Sequence, residues 1–424
     1  MKARMKATGM RRAQIGHASK SKRLRETSTT SPKRRGSSGK VSETEAMYRV
    51  SRRKVVDNAL LPGIEPIETA FSKNDVTYSL ETGFRRYGLE GEDVFLAVAA
   101  RCVQESNIRY NDFAFFQYER GLHVLDLVTH DRQLDSFLAR VCGDSEAAHE
   151  LPVYYQYFVG RRFREGSGKF FTPRPVARSM ANLLPIDGGM VICDPTCGGG
   201  TFLSEAAKLL DGTPCELVGN DVDRTLVGLT EVVLALTCTA SQKRRLFCEN
   251  VYDSGQFHAS CSGRVDCILA NPPFSLHLEK VGLQSPLFSM GYRNSDAVFL
   301  DVCLNLLKEG GNLVCLLPHS IVVNADYAEL RSRVERDWDL CGIITLPEGV
   351  FYLTASTTTR ADIIHLRKKV ARQVASPKVY FANAPTVGVA LNSRDTETSA
   401  NALEEAAIAV RARGCVAKVK DYIK

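Results

Sequence analysis

The stretch MVICDPTCGGGTFLSEAAKLL, residues 190–210, decides the fold. An apolar run of strand length ends on Asp194, turns through Pro195 to Gly200, and enters a segment with apolar residues at helical spacing from Thr201. A strand, a glycine-rich turn and a helix in direct succession open an α/β sheet of the kind that gathers ligands outside the carboxyl ends of its strands. Glycines at 198, 199 and 200 let the backbone turn tightly and come close to a ligand. The helix start places free amide donors beside it. Asp194 at that rim suits a ligand carrying an ammonium group or other donors. The spacing is not GxGxxG and no Walker lysine follows, so the turn alone names no ligand.

The same rhythm continues on the carboxyl side. Strands are expected at 190–194, 215–221, 245–250, 265–271, 312–318, 341–347 and 361–367, and helices at 201–210, 225–238, 296–310 and 326–337. Continuous apolar strands alternating with helices predict a doubly wound, seven-stranded, mostly parallel α/β sheet covered on both faces. On the amino side the pattern is helical from about Glu43 to Phe163, with apolar spacing in EDVFLAVAARCVQESNI (92–108), LDSFLARVC (134–142) and VYYQYFVGRRF (153–163). Gly166 and Gly168 loosen the chain before Thr172-Pro173 opens a helix. Near the end, NALEEAAIAVRAR (401–413) reads as a helix with Asn401 and Glu404 in capping-box spacing and Gly414 as its stop. The expected organisation is a basic disordered tail (1–42), a helical N-terminal domain (43–165), an α/β domain (166–370) and a C-terminal extension with one helix (371–424).

Charge is unevenly placed. Residues 1–40 hold 13 Lys or Arg and one acid, Glu26, whereas the whole chain nets only +7. With almost no apolar residues the tail cannot offset its own folding entropy. It reads as a grip on a polyanion such as DNA, or as a solvated extension or an address signal. No apolar run reaches the roughly 18 residues of a membrane helix, and no secretory h-region opens the chain, so no membrane association is expected. The 13 cysteines include no CxxC pair. They read as reduced core thiols, which points to a cytoplasmic protein (nuclear or organellar in a eukaryote) and to no metal site.

Two further motifs fall on the same rim. The second strand ends GNDVD (219–223). An acid one βα unit beyond the glycine turn is where doubly wound folds hold ribose hydroxyls, a role that suits Asp221; Asp223 suits the helix cap. The fourth strand delivers Asn271-Pro272-Pro273-Phe274. The Asn271 side-chain oxygen and the Pro272 carbonyl make two acceptors suited to a planar substrate amine. Gripping both hydrogens of an exocyclic amine steers the nitrogen lone pair out of conjugation and toward an electrophile. Phe274 offers a stacking face for a base. A bare strand-ending turn with Phe274 in the core is the alternative.

FTP at 171–173, DPTCGGGTF at 194–202, the acid at Asp221 and NPPF at 271–274, in this order, resemble the amino-methylating, adenine-specific DNA methyltransferases. DAVFLDVCLNLLKEGGNLVCLLPHSIV and GIITLPEGVFYLTASTTTRADIIHLRK extend the likeness to the modification subunit of type I restriction–modification systems, over roughly residues 150–370. The resemblance implies an S-adenosylmethionine-dependent methyltransferase sheet that transfers methyl to N6 of a flipped-out adenine in DNA. Phe171, Thr172 and Pro173 would border the methionine part of the cofactor. Asp194, Thr196 and the loop from Gly198 to Gly200 would hold its amino-acid end, Asp221 its ribose and Asn250 its adenine. Asn271, Pro272, Pro273 and Phe274 would carry the catalytic loop. Only about 55 residues follow the last expected strand, so target recognition would come from a separate specificity subunit in a hetero- or homo-oligomer.

The chain departs from the family at four points, one of them the ribose acid, which is often Glu and here is Asp221, one methylene shorter. Thr196 and Gly199 replace the alanine and threonine of the usual Asp-Pro-Ala-Cys-Gly-Thr-Gly loop. Glu249-Asn250 stand where an Asp is common. The insertion HLEKVGLQSPLFSMGYRNS (277–295) reads as a rim loop without an assigned role. Competing expectations are methylation of an RNA base or a protein glutamine, and an inactive nucleic-acid-binding relative.

Overall fold

The computed structural model describes residues 76–106, 113–160, 171–351, 359–371, 378–391 and 400–412. The chain divides into units at 1–50 and 51–424, and the first lies outside the described residues. So do the basic tail expected at 1–42, the glycines at 166 and 168, and the stop at Gly414.

Described structure begins with helices α1 (Val76–Arg85), α2 (Glu92–Glu105), α3 (Tyr118–Asp126), α4 (Arg132–Cys142) and α5 (Ala147–Phe158). The last was expected at 153–163 and starts earlier because Ala147, Ala148 and Leu151 add buried turns ahead of Pro152. Helix α6 (Arg174–Asn182) follows with Pro173 as its N-cap. The sheet region then alternates β1 (Val191–Asp194), α7 (Thr201–Leu209), β2 (Cys215–Asn220), α8 (Arg224–Thr237), β3 (Gln242–Phe247), α9 (Gln256–Cys261) and β4 (Val265–Ala270). Beyond it run α10 (Pro286–Ser289), α11 (Ser295–Leu306), β5 (Leu307–Pro318), α12 (His319–Val323), α13 (Ala328–Asp337), β6 (Trp338–Thr345), β7 (Ala361–Lys368), β8 (Tyr380–Asn383) and α14 (Ala402–Ala412).

The strands form one sheet in the order β3-β2-β1-β4-β5-β7-β6-β8. Strand β7 lies antiparallel between β5 and β6, and the other pairs are parallel. The sheet has eight strands rather than the expected seven. The addition, β8, is an edge strand of alternating exposure whose four residues carry too little apolar pattern to be read. Strand β3 begins at Gln242, three residues before the expected start, because the charged Lys243 and Arg244 face solvent on the opposite edge. Helix α11 stops at Leu306, not Gly310: Leu307 already pairs with Val265, and Gly310 adopts φ +75° within the register shift of β4 and β5.

Apolar clusters cover both sheet faces, one against α6, α7 and α14, the other against α9 and α11. A third core joins α1 to α5 with one face of α8, through Leu226, Leu229, Val232 and Val233. Glu231 of α8 seals this junction by accepting from the backbone N–H of Ala114 (2.9 Å), Phe115 (2.8 Å) and Phe116 (2.8 Å). Among the described residues every cysteine is a free thiol, most of them buried, and no helix is long and apolar enough to cross a membrane.

Candidate active site

The parallel register brings the carboxyl ends of β1, β2 and β4 to one rim: Asp194 pairs with Gly219, and Cys193 with Ile268. Where these ends part, the chain leaves a cavity of about 380 Å³, within the range of small-ligand pockets. Phe171, Thr172, Asp194, Thr196, Gly198, Asp221, Asn250, Asn271, Pro272 and Pro273 line it. The structure therefore gathers most of the candidate residues from five separate segments. Pro173, Gly200 and Phe274 do not line it. Pro173 caps α6. Gly200 caps α7 at φ +78°, where a side chain would be strained and would crowd Thr230. Phe274 packs edge-to-face on Phe351, with ring centroids 6.0 Å apart, and joins the core.

Three buried polar atoms on this cavity have no hydrogen-bond partner among the described residues: Asp194 Oδ2, Thr196 Oγ1 and Asn271 Oδ1. Such atoms are costly unless a ligand satisfies them. Asp194 is 1% exposed. Burial pushes its carboxyl well above the usual range and the charge of Asp221 adds to this, while the bond from Thr196 N (3.0 Å to Oδ1) opposes both. A cation offered to Oδ2 would relieve that burden.

Asn271 is oriented from outside its own loop. Thr172 Oγ1 accepts from Asn271 Nδ2 at 3.0 Å, which commits the amide donor and leaves the acceptor Oδ1 for the cavity. The FTP motif thus acts on the Asn-Pro-Pro-Phe loop, a link that spacing in sequence does not reveal. Asp221 holds the glycine turn: Oδ2 accepts from Gly198 N (3.0 Å), and Oδ1 from Asp223 N (2.9 Å). Asp223 caps α8 through Thr225 N at 2.9 Å. Asn250 reaches the cavity, with Nδ2 donating to Asp253 (2.9 Å) and Oδ1 accepting from Tyr252 N (3.2 Å). Glu249 is spent elsewhere, accepting from Gln256 N and Phe257 N at the start of α9.

The departure at Gly199 has a steric reason. A Cβ there would meet the Phe171 ring at 2.9 Å and Leu229 and Pro152 at 3.1 Å. The aromatic ring occupies the space that a larger loop residue would need.

Sequence reading missed two kinds of residue. Asn220, fully buried, donates to the carbonyls of Pro195 (3.0 Å) and Glu249 (3.1 Å) and accepts from Glu249 N (3.1 Å), tying the loops after β1 and β3 together. Its place one residue before Asp221 was the available signal. The other kind is apolar wall: Val222, Val251, Leu276 and Leu278, with Lys280 at the mouth. Leu276, Leu278 and Lys280 belong to the chain that follows the Asn-Pro-Pro-Phe loop.

The chain is similar to known proteins in sequence and in fold. The chain is 28% identical over 211 residues to the type II methyltransferase M.VspI of Vibrio sp. (strain 343), an overlap of 48% of this chain and 50% of that protein. It is 25% identical over 244 residues to the type I restriction enzyme MjaVII methylase subunit of Methanocaldococcus jannaschii, covering 54% of this chain and 41% of that subunit. The chain therefore spans about half the length of these curated relatives. In fold it is similar to a candidate class I S-adenosylmethionine-dependent methyltransferase of Listeria monocytogenes (TM-score 0.51, 17% identity, 88% of this chain and 98% of that one). It is also similar to the methyltransferase subunit of a type I restriction–modification system from Streptococcus thermophilus (TM-score 0.50, 17% identity, 88% and 82%). The sequence model of the N-6 DNA methylases matches residues 148–421, a span that takes in the cavity, the glycine turn and the Asn-Pro-Pro-Phe loop together. On that match this chain belongs to the N-6 DNA methylase family.

Proposed function

We propose that the chain transfers a methyl group from S-adenosylmethionine to the N6 amine of adenine in DNA, as a modification subunit that works with a separate specificity subunit. The observation that carries this reading is the set of three unpartnered buried atoms, Asp194 Oδ2, Thr196 Oγ1 and Asn271 Oδ1, on one cavity. They fit the two ligands the reaction requires. Asp194 and Thr196 with the Gly198 turn suit the ammonium and carboxylate of the cofactor, and Asp221 its ribose. Val222, Val251 and Leu278 supply the apolar wall that an adenine ring needs. Bound there, S-adenosylmethionine supplies an electrophilic methyl group.

The protein's own contribution is positioning. Asn271 Oδ1 and the Pro272 carbonyl accept the two hydrogens of the substrate amine and turn its lone pair toward the methyl. Thr172 keeps the Asn271 amide from rotating its donor into that place. Aligning two reactants in this way supplies about 7–11 kcal/mol of a barrier. An adenine inside a duplex reaches Asn271 only after extrusion, which costs a few kcal/mol. Leu276 and Lys280, both exposed and both lining the cavity, offer an apolar edge and a cation to a base and its phosphate.

The test is transfer of radiolabelled methyl to DNA, RNA and protein, followed by nucleoside and amino-acid analysis. Label in 6-methyladenine of DNA is the expected result. Label in an RNA base or in glutamine keeps the chemistry and overturns the substrate. Methylation of one defined sequence by the purified chain alone overturns the need for a specificity subunit.

A further inference from the structure

Two consecutive prolines give the Asn271–Phe274 loop stiffness but remove two backbone donors, so the loop cannot hold its own shape through N–H bonds at 272 and 273. The first two residues of α11 hold the Pro273 carbonyl and the two residues that follow the loop, Ser275 and Leu276. Ser295 Oγ donates to the Pro273 carbonyl (2.8 Å) and accepts from Leu276 N (3.0 Å), while Ser295 N donates to the Leu276 carbonyl (2.8 Å). Asp296 Oδ2 accepts from Ser275 N (2.9 Å) and Ser275 Oγ (3.4 Å). Ser275 stands at φ +55°, one of the few non-glycine residues in the left-handed region, and the Asp296 bond holds it there. Ser295 and Asp296 are 0% and 1% exposed. Neither lines the cavity.

Resting on the functional reading above, we propose that Ser295 and Asp296 are positioning residues for methyl transfer, a clamp that fixes the Asn-Pro-Pro-Phe loop in the shape that receives the amine. They touch no reacting atom and act through Pro273, Ser275 and Leu276. The clamp also reaches the wall of the cofactor side: Tyr252 OH donates to the Ser295 carbonyl at 3.3 Å, and the Tyr252 carbonyl accepts from Gly282 N (2.9 Å) and Leu283 N (3.3 Å) in the following loop. The segment after the motif is thereby pinned at both ends.

The clamp has a titratable part. Burial pushes the Asp296 carboxyl up to about 6, against the bonds from Ser275 and Asn294. The other titratable groups facing it are Tyr252, Tyr327 and Cys315, neutral near pH 6 at their ordinary values, which burial raises further. The charged acceptor for Ser275 N is therefore present above pH about 6 and lost as pH falls through it.

Ser295→Ala and Asp296→Asn in the full chain test the clamp by three readouts, with methyl transfer measured in the presence of the specificity subunit. Cofactor binding by calorimetry should change by no more than about threefold, while single-turnover methyl transfer falls by roughly 10²-fold, the cost of a displacement near 1 Å. Transfer by the unmodified chain should drop on an acid limb near pH 6 that Asp296→Asn lacks. Hydrogen exchange at the Ser275 and Leu276 amides should accelerate in both variants, and this readout needs no substrate. Unchanged exchange, or wild-type rate and pH profile in both variants, overturns the clamp. Faster exchange in a chain that never methylates adenine leaves the clamp standing and overturns the reading of the site.

Discussion

At the scale of single residues, the proposed function divides the site between two side chains, Asn271 for the amine and Asp194 for the cofactor. Asn271→Ala should lower turnover by about 10²–10³-fold, the loss typical of one preorganised polar group. Cofactor affinity should stay near wild type by calorimetry, because Asn271 spends its donor on Thr172 and, on the proposed reading, its acceptor on the amine. Asp194 belongs to the other ligand. Its folded pKa is raised above the unfolded value by burial, so the folded protein takes up its proton at a higher pH than an ordinary aspartate does. Two consequences follow in opposite directions. Cofactor affinity should weaken as pH falls through the raised pKa, since the ammonium loses its counter-charge. Stability of the ligand-free chain should contain a component lost as pH rises through the same range. Asp194→Asn should abolish both pH dependences, read by titration calorimetry and thermal melts across pH.

Elements explain what the sequence could and could not disclose. The run from Met190 to Leu210 was legible because every local signal agrees: apolar strand, glycines where φ turns positive, apolar helix. Asp223 was legible as a cap for the same reason. Strand β8 was not, since its stability comes from pairing with β6 and not from its own four residues. Phe274 misleads in a different way. The motif suggests a free aromatic face, but in this structure Phe274 lies outside the cavity lining, half-buried and packed edge-to-face with Phe351, 77 positions away. The clamp at Ser295 and Asp296 hid behind an insertion whose length masks the approach of its two ends. Helix α8 offers the clearest test at this scale. Glu231→Ala strips the acceptor from three successive amides at 114–116. It should cost about 1.5–3 kcal/mol, as charge-assisted bonds do, read as a lower denaturation midpoint at unchanged m.

At the scale of the whole molecule, charge and architecture are separated along the chain. The 13 basic residues of 1–40 contrast with a remainder that is net acidic, so any long-range pull on a polyanion would come from the tail. Deleting residues 1–40 should weaken DNA binding chiefly at low salt and flatten the dependence of log K on log salt. An unchanged slope in filter-binding titrations would remove the tail from the interface. A basic extension of this kind raises the encounter rate without adding to sequence discrimination.

The shared core between α1–α5 and α8 bears on how such a chain can be cut and recombined. Leu226, Leu229, Val232 and Val233 are buried by helices that lie between residues 76 and 158, ahead of the first strand at Val191. Gly199 of the glycine turn lies against Phe171 and against Pro152 of α5. The methylase sheet is consequently no portable cassette. A fragment begun at residue 166 would turn an oily helix face to water and free the Phe171 ring beside the ligand cavity. Exchange of amino-terminal helices between relatives would succeed only where the outer face of α8 travelled with them.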